Sequence, residues 1–447
     1  MAFEVVQQNV TQQTTGSEAS APSRIAGAWL AIVSFVSIQF VEFTLFKVGD
    51  FDVSLQKVLA LIAFPVALGL MGQIRLPLSL LVFFGVLILA NSAAYVVQSD
   101  PLNPLLLSAN ATALIGFVGA IVLYTALVED KRGLETLGRV WVIFAVLTSV
   151  LIVGQTMGLL PLLAVPDEFM QARLADDGGQ LYRATGLKFN PNYQALVLII
   201  GVVFARFYVN RAKNTVSFLI LLGIVGTFSR MGLLVGILAW VAVPVVQAWG
   251  NRTGSAVPLK LLATVAGLAI VLAVGYLYSP QEVRSYLDQR VEEVTRSYDY
   301  FAAGAPSKPI GLNSKPIGLS SSEERILLLR VSVGVVSNNY LLGVGAHRPP
   351  DFVRAVGGSE STAHNTYLEE LMIGGLLGAL VIILYVTFSV RAIIKSRTEG
   401  GANWRGPSIV LLFAFGLSAM FLDLNYNSIL WLPLVVALAY SKIAHPS

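Results

Sequence analysis

The run His364-Asn365-Thr366-Tyr367-Leu368 sets an imidazole where an apolar helix begins, and the free N–H groups of a helix start favour an anion. Helical spacing puts His364, Tyr367 and Leu371 on one face and Asn365 with Glu369 on another. A histidine here acts either as a base or as a solvated capping residue. The run from Arg183 to Asn192 offers a second helix start, with Asn190 suited to the N-cap and Pro191 to the first helical position. Arg183 and Lys188 stand just before it, as an anion cradle or as partners of lipid phosphates. Arg230 interrupts an otherwise apolar hairpin in Thr227-Phe228-Ser229-Arg230 and must reach water, a carboxylate or a phosphate, snorkelling being the plain alternative. Arg325 and Arg330 lie five apart on one predicted helix, so at most one of them faces a site; for each alone a solvated face is the plain alternative.

Other chemistries find no support. There are no cysteines, and the three histidines are far apart, which excludes thiolate sites and His-rich metal clusters; no metal site is expected. Asp167, Glu168, Asp176 and Asp177 match no oxygen-ligand loop and read as a solvated turn. No phosphate-cradling Gly-Lys-Ser/Thr loop, serine elbow or His-Glu-x-x-His helix is present, which argues against nucleotide hydrolysis and zinc chemistry. No cofactor is expected.

The elements that must position these residues are membrane spans. Of 447 residues, 55% are hydrophobic and 13% charged, about half the charged fraction of a soluble domain. The net charge of +4 is spread over many short loops and forms no stripe, so no nucleic-acid partner is expected. Residues 1–24 form a polar tail without the apolar core of a cleavable signal, and the first span is expected to act as an uncleaved anchor.

Apolar stretches predict twelve spans. Five run Ile25 to Phe46, Ser54 to Gly72, Leu76 to Val97, Leu105 to Val128 and Glu135 to Gly158. Asn192 to Val209 is the sixth, and Pro258 to Tyr278 the ninth. The last three are Glu370 to Lys395, Pro407 to Leu422 and Tyr426 to Lys442. Between the sixth and ninth, Thr215 to Trp249 would make one helix about 52 Å long, far beyond a hydrocarbon layer of roughly 30 Å. It is therefore expected to break near Arg230 into two short helices. With both termini cytoplasmic, that side receives Arg75, Arg211, Lys213, Arg391, Lys395, Lys442 and others, as the positive-inside rule requires. The polar segments 159–191 and 279–369 then share the outer face. The organisation read is 1–24 tail, 25–278 spans one to nine with outer loop 159–191, 279–369 large outer loop, and 370–447 spans ten to twelve.

Within the large loop, Gln281 to Phe301 patterns as an amphipathic helix near the bilayer surface. The repeat Ser307 to Leu312 and Ser314 to Leu319 reads as a flexible cover. Ser321 with Glu324 forms a capping box that starts a helix through about Val336.

In this order the features resemble the O-antigen ligase and polysaccharide polymerase superfamily of bacterial envelope glycosyltransferases. The resemblance rests on Arg183 with Gly186 and Asn190-Pro191-Asn192, on Thr227-Phe228-Ser229-Arg230, on Arg325 ahead of Asn338-Asn339-Tyr340-Leu341-Leu342-Gly343-Val344-Gly345, and on His364 to Leu368 with Gly374-Gly375. The Ser-Lys-Pro-Ile-Gly-Leu repeat departs from it, as do Leu328 or Leu329 where an aromatic is usual. The resemblance implies an all-α, C-type, metal-independent glycosyltransferase in the bacterial inner membrane. Its donor is an oligosaccharide on undecaprenyl pyrophosphate, its acceptor a glycan or lipid A-core, and a chain-length regulator a further partner. Arg183, Lys188, Arg230 and Arg325 would then bind the pyrophosphate, and His364 would take the acceptor proton from its unperturbed pKa of about 6.5. Asn192, Asn365 and Tyr367 would support them. One base and no covalent nucleophile imply inversion. Polymerase is the favoured reading, ligase the alternative and a flippase or transporter the second. Transporters, however, place ionisable groups at mid-membrane and show repeated halves, and this chain shows neither.

Overall fold

The computed structural model describes residues 21–40, 44–48, 51–98, 103–130, 132–161, 184–188, 190–209, 211–250, 321–349, 351–352, 365–396, 402–422 and 430–444. Its helices in chain order are α1 (Ala21–Val36), α2 (Leu55–Met71), α3 (Leu78–Val97), α4 (Pro104–Glu129), α5 (Gly133–Thr156), α6 (Pro191–Tyr208), α7 (Lys213–Gly226) and α8 (Arg230–Gly250). They continue with α9 (Ser321–Asn338), α10 (Thr366–Gly374), α11 (Leu376–Lys395), α12 (Ala402–Ala419) and α13 (Leu432–Ala444). Six of the described helices are long and apolar enough to cross a membrane, and shorter apolar helices accompany them. The chain is a mainly helical, polytopic membrane protein. The ninth span, the amphipathic helix Gln281 to Phe301 and the six-residue repeat lie outside the described residues.

Small residues let these helices pack closely, as lipid-solvated bundles require. A Cβ on Gly201 would stand 2.4 Å from that of Ala145, one on Gly223 would stand 2.4 Å from the Ser149 hydroxyl, and one on Gly232 2.3 Å from the Ala195 Cβ. α4 is a second hub, flanked by α1, α2, α3 and α13.

These contacts also fix directions. Gly232 of α8 meets Ala195 of α6, and Gln247 donates to the Arg206 carbonyl at 3.3 Å, so α6 and α8 run parallel. Gly406 near the start of α12 packs on Phe207 near the end of α6, so α12 runs against both. The starts of α6 and α8 and the end of α12 therefore share one end of the bundle, here the site end. At the opposite end Arg75 pairs with Glu129 at 2.7 Å. Lys213 begins α7 there, and Lys395 ends α11.

The block Thr215 to Trp249 is divided as its length demanded. α7 stops at Gly226 and α8 starts at Arg230. A Cβ on Gly236 would lie 3.0 Å from Ile224 and 3.6 Å from Leu221. In a continuous helix positions 221 and 236 would be about 22 Å apart, so the chain folds back. Phe228 takes the reversal in the left-handed region at φ 49°.

Three expectations need correction. The first apolar stretch is not helical to Phe46: α1 ends at Val36 and a 3-10 turn follows to Phe40. Thr44–Val48 (β1) then pairs antiparallel with Phe51–Ser54 (β2), so the described fold is not all-α. The cause is local, since Thr44, Phe46, Val48, Phe51 and Val53 favour a pleated strand and Gly49-Asp50 separates the two runs. Second, Glu370 to Lys395 is interrupted at Gly375, whose φ of 56° and ψ of −125° suit glycine alone. Across this break Gly378 returns against the Glu370 carbonyl. Third, within the span expected from Tyr426 to Lys442, Leu430 and Trp431 form a turn and the helix begins at Leu432.

Candidate functional site

The segment Ala184 to Lys188 is pinned at the site end by two amides. The Gly186 N–H donates to Gln155 Oε1 at 3.0 Å, and the Leu187 N–H donates to Gln194 Oε1 at 3.2 Å. Gly186 needs no side chain here: its φ is 63° and a Cβ would meet Thr148, Ile152 and Gln194. Lys188 does not reach outward as a cradle residue would. It is 2% exposed, and its ammonium donates to the Ile38 carbonyl at 3.0 Å, tying the loop to the 3-10 turn that follows α1.

Asn190 caps α6 as its type predicted, accepting from the Asn192 N–H at 2.9 Å. The Asn192 side-chain oxygen then accepts from the Ser229 hydroxyl at 2.8 Å. That bond joins two motifs that are 37 residues apart in sequence. Ser229 in turn caps α8, accepting from the Gly232 N–H at 3.0 Å, and Arg230 is the first residue of the helix so capped. Ser229→Ala is expected to cost about 1 kcal/mol through the lost cap. It also severs the Asn192 link, so lowered thermal stability in detergent should come with reduced transfer. Unchanged stability and unchanged transfer would refute the link.

The third motif meets the same end. The Asn365 side chain caps α10, accepting from the Leu368 N–H at 3.1 Å, and its amide donates to the Met420 carbonyl at 3.3 Å. Thr366 donates to the Leu422 carbonyl at 2.6 Å, and the Tyr367 hydroxyl to the Gly416 carbonyl at 2.7 Å. Three consecutive side chains thus staple the start of α10 to the site end of α12. Tyr367 is spent on this staple. Its neighbour His364 lies outside the described residues, as does Arg183.

The fourth motif locks onto α10 from the other side. The Val344 and Gly345 N–H groups donate to the Met372 and Ile373 carbonyls at 2.7 and 3.0 Å, satisfying the last turn of α10. Gly343 has φ 68°, and a Cβ on it would sit 2.3 Å from the Ile373 carbonyl oxygen. The two glycine pairs, Gly343/Gly345 and Gly374/Gly375, are therefore one joint. Gly343→Val is expected to destabilise the protein by more than the roughly 1–2 kcal/mol that a left-handed L-residue costs, read as loss of folded protein in membranes. Normal accumulation would contradict the joint.

This joint sets the register of α9. Its C-terminal turn lies on Gly375, and the Leu376 N–H donates to the Leu341 carbonyl at 3.2 Å, so α9 and α10 run side by side in the same direction. Val335 packs with Met372, and Val331 and Leu368 join them. The buried stripe of α9 is Leu328, Ser332 and Val335. By helical spacing, position 325 is in register with that stripe, three residues before Leu328, whereas position 330 is not. Counting 1.5 Å per residue from the Val335 level, position 325 falls about one turn beyond the level of Asn365, at the capped start of α10.

Sequence reasoning missed a cationic group on the face of this joint. Arg348 stacks on the Tyr95 ring at 4.3 Å and bonds Gln98, and the Tyr95 hydroxyl donates to the Ala346 carbonyl at 2.6 Å. His347 is held below its ordinary pKa by burial and by the Lys57 charge. The adjacent Gly-Val-Gly-Ala-His-Arg run was the signal. Among the described residues no three of His, Asp and Glu gather as a metal set.

A bundle of apolar helices that gathers the capped starts of α6, α8 and α10 at one end is a polytopic membrane protein with its sequence motifs drawn together there. Residues 215–383 match the family model described as O-Antigen ligase. This match, over part of the chain, supports its likeness to the O-antigen ligase and polysaccharide polymerase superfamily. That segment spans α7 to α11 and contains Arg230, Arg325 and His364; the Asn190-Pro191-Asn192 motif precedes it and joins it through the Asn192–Ser229 bond. No curated protein sequence matches the chain.

Proposed function

We propose that the chain is a polysaccharide polymerase that works at the outer face of the bacterial inner membrane, with both termini cytoplasmic. It moves a growing glycan from undecaprenyl pyrophosphate onto a lipid-linked repeat unit. The observation that carries this reading is the meeting of the motifs at one end of the bundle, through the Asn192–Ser229 bond and the stapling of Asn365, Thr366 and Tyr367 to α12.

In the reaction proposed, the bond between the anomeric carbon and the pyrophosphate oxygen breaks, and that oxygen keeps the electron pair. The acceptor hydroxyl oxygen bonds the anomeric carbon from the opposite face, inverting it. The hydroxyl proton passes to His364. The leaving group already carries stabilised charge and needs cations more than an acid. Arg183, Arg230 and Arg325 supply them as forked, charge-assisted donors in a partly dehydrated site. Lys188 supports the cradle by fixing its loop to the turn that follows α1. The reaction asks for no metal.

The description of the matched family favours a second reading, a ligase that hands finished glycan to lipid A-core. The repeat-bearing segment 307–319 is suited to a long sugar acceptor and favours the polymerase. Glycan chain length in a deletion strain separates the two. Single repeat units on the final acceptor are expected; accumulated lipid-linked polymer would assign the ligase instead.

A further inference from the structure

The turn that ends α9 carries three apolar side chains turned away from the protein: Tyr340 is 58% exposed, Leu341 54% and Leu342 37%. Their backbone is not loose. The Leu341 carbonyl accepts from the Leu376 N–H, and Gly343 is locked onto α10. A rigid turn that exposes a tyrosine and two leucines needs an apolar neighbour.

The helix beneath identifies that neighbour. α11 exposes Leu376, Ile383, Val390 and Ile394, a stripe at helical spacing along its whole length, and the turn sits on top of this stripe. Lys395 marks its lower boundary. From Ile394 to Leu376 the rise is about 27 Å, so the turn lies close to 30 Å above the lower boundary, where the hydrocarbon layer meets the headgroups. Tyrosine is favoured at that depth.

We propose that Tyr340-Leu341-Leu342 is a membrane anchor, inserted among the acyl chains and headgroups of the leaflet on the site side. It continues the lipid-facing stripe of α11 and fastens α9, the helix that bears Arg325, to the bilayer surface. This inference is independent of the reaction assigned above.

The chain has no cysteine, so single cysteines can be placed without a prior background. Leu341→Cys and Leu342→Cys, each carrying a nitroxide, are compared with Ile383→Cys and Asp351→Cys in the full chain, in phospholipid vesicles that hold no polyprenyl donor. Both positions are exposed, so folding is retained, which size exclusion checks. The anchor predicts that oxygen reaches both labels better than a water-soluble nickel chelate does. It also predicts a depth within about 5 Å, one helical turn, of a Leu376→Cys label. Access to the nickel chelate equal to that at Asp351 would overturn the anchor. Exclusion of both relaxers would do so too, by showing protein over the turn. A fall in oxygen access on adding undecaprenyl phosphate would overturn it in favour of a polyprenyl-tail site.

Discussion

Membranes in which His364→Ala replaces the native protein are expected to transfer glycan roughly 100- to 10,000-fold more slowly, the range spanned by loss of a positioned general base. Protein abundance should be unchanged. The neighbouring staple explains the expectation. Asn365, Thr366 and Tyr367 each donate to a carbonyl of the α12 end, so the backbone next to position 364 is held without help from the imidazole. The measurement is transfer from lipid-linked donor in isolated membranes, normalised to protein by immunoblot. Arg230→Ala should fall into the same low range. If both variants keep native rates, the proposed chemistry is wrong.

The second large effect separates two arginines that sequence could not rank. Arg325→Ala is expected to slow transfer roughly 100- to 1,000-fold, the scale for removing one donor from a charge-stabilising site. Arg330→Ala should change it by no more than about twofold, as for a substitution away from the site. The difference rests on register. By helical spacing, position 325 is in register with the buried stripe Leu328–Ser332–Val335, on the side of the start of α10, while position 330 is out of register with it. Equal losses for the two variants would remove α9 from the account, and a large loss at Arg330 alone would reverse its orientation.

The contrast shows what the sequence makes legible. Apolar periodicity and length placed α2 to α6 closely, and the excess length of Thr215 to Trp249 forced the reversal that the structure has at Thr227–Ser229. Those signals are local and large. The caps at Asn190 and Asn365 were legible for the same reason, because a short polar side chain before an apolar run has one favoured use.

What escaped depended on distant pairing. Lys188 read as an outward cation because charge normally faces water, and nothing near it in sequence names its partner, the Ile38 carbonyl 150 residues away. The Gly374-Gly375 pair was visible, but its positive φ is imposed by α9 and the Gly343 turn, which press backbone against backbone. The start of the β1–β2 hairpin was hidden because Leu45 and Phe46 continue the apolar run of the span before it, and hydropathy does not separate a strand from a helix.

The proposed reaction breaks the bond between sugar and pyrophosphate, which a carrier of intact lipid-linked glycan would leave whole. The most direct test reconstitutes the purified chain in vesicles with radiolabelled lipid-linked donor and acceptor, without an ion gradient, and measures free undecaprenyl pyrophosphate against glycan transferred. An enzyme of this kind must release one lipid pyrophosphate for each glycan it moves, and His364→Ala must stop both together. Glycan that changes sides of the vesicle while still bonded to its lipid, with no pyrophosphate released, would contradict the assignment.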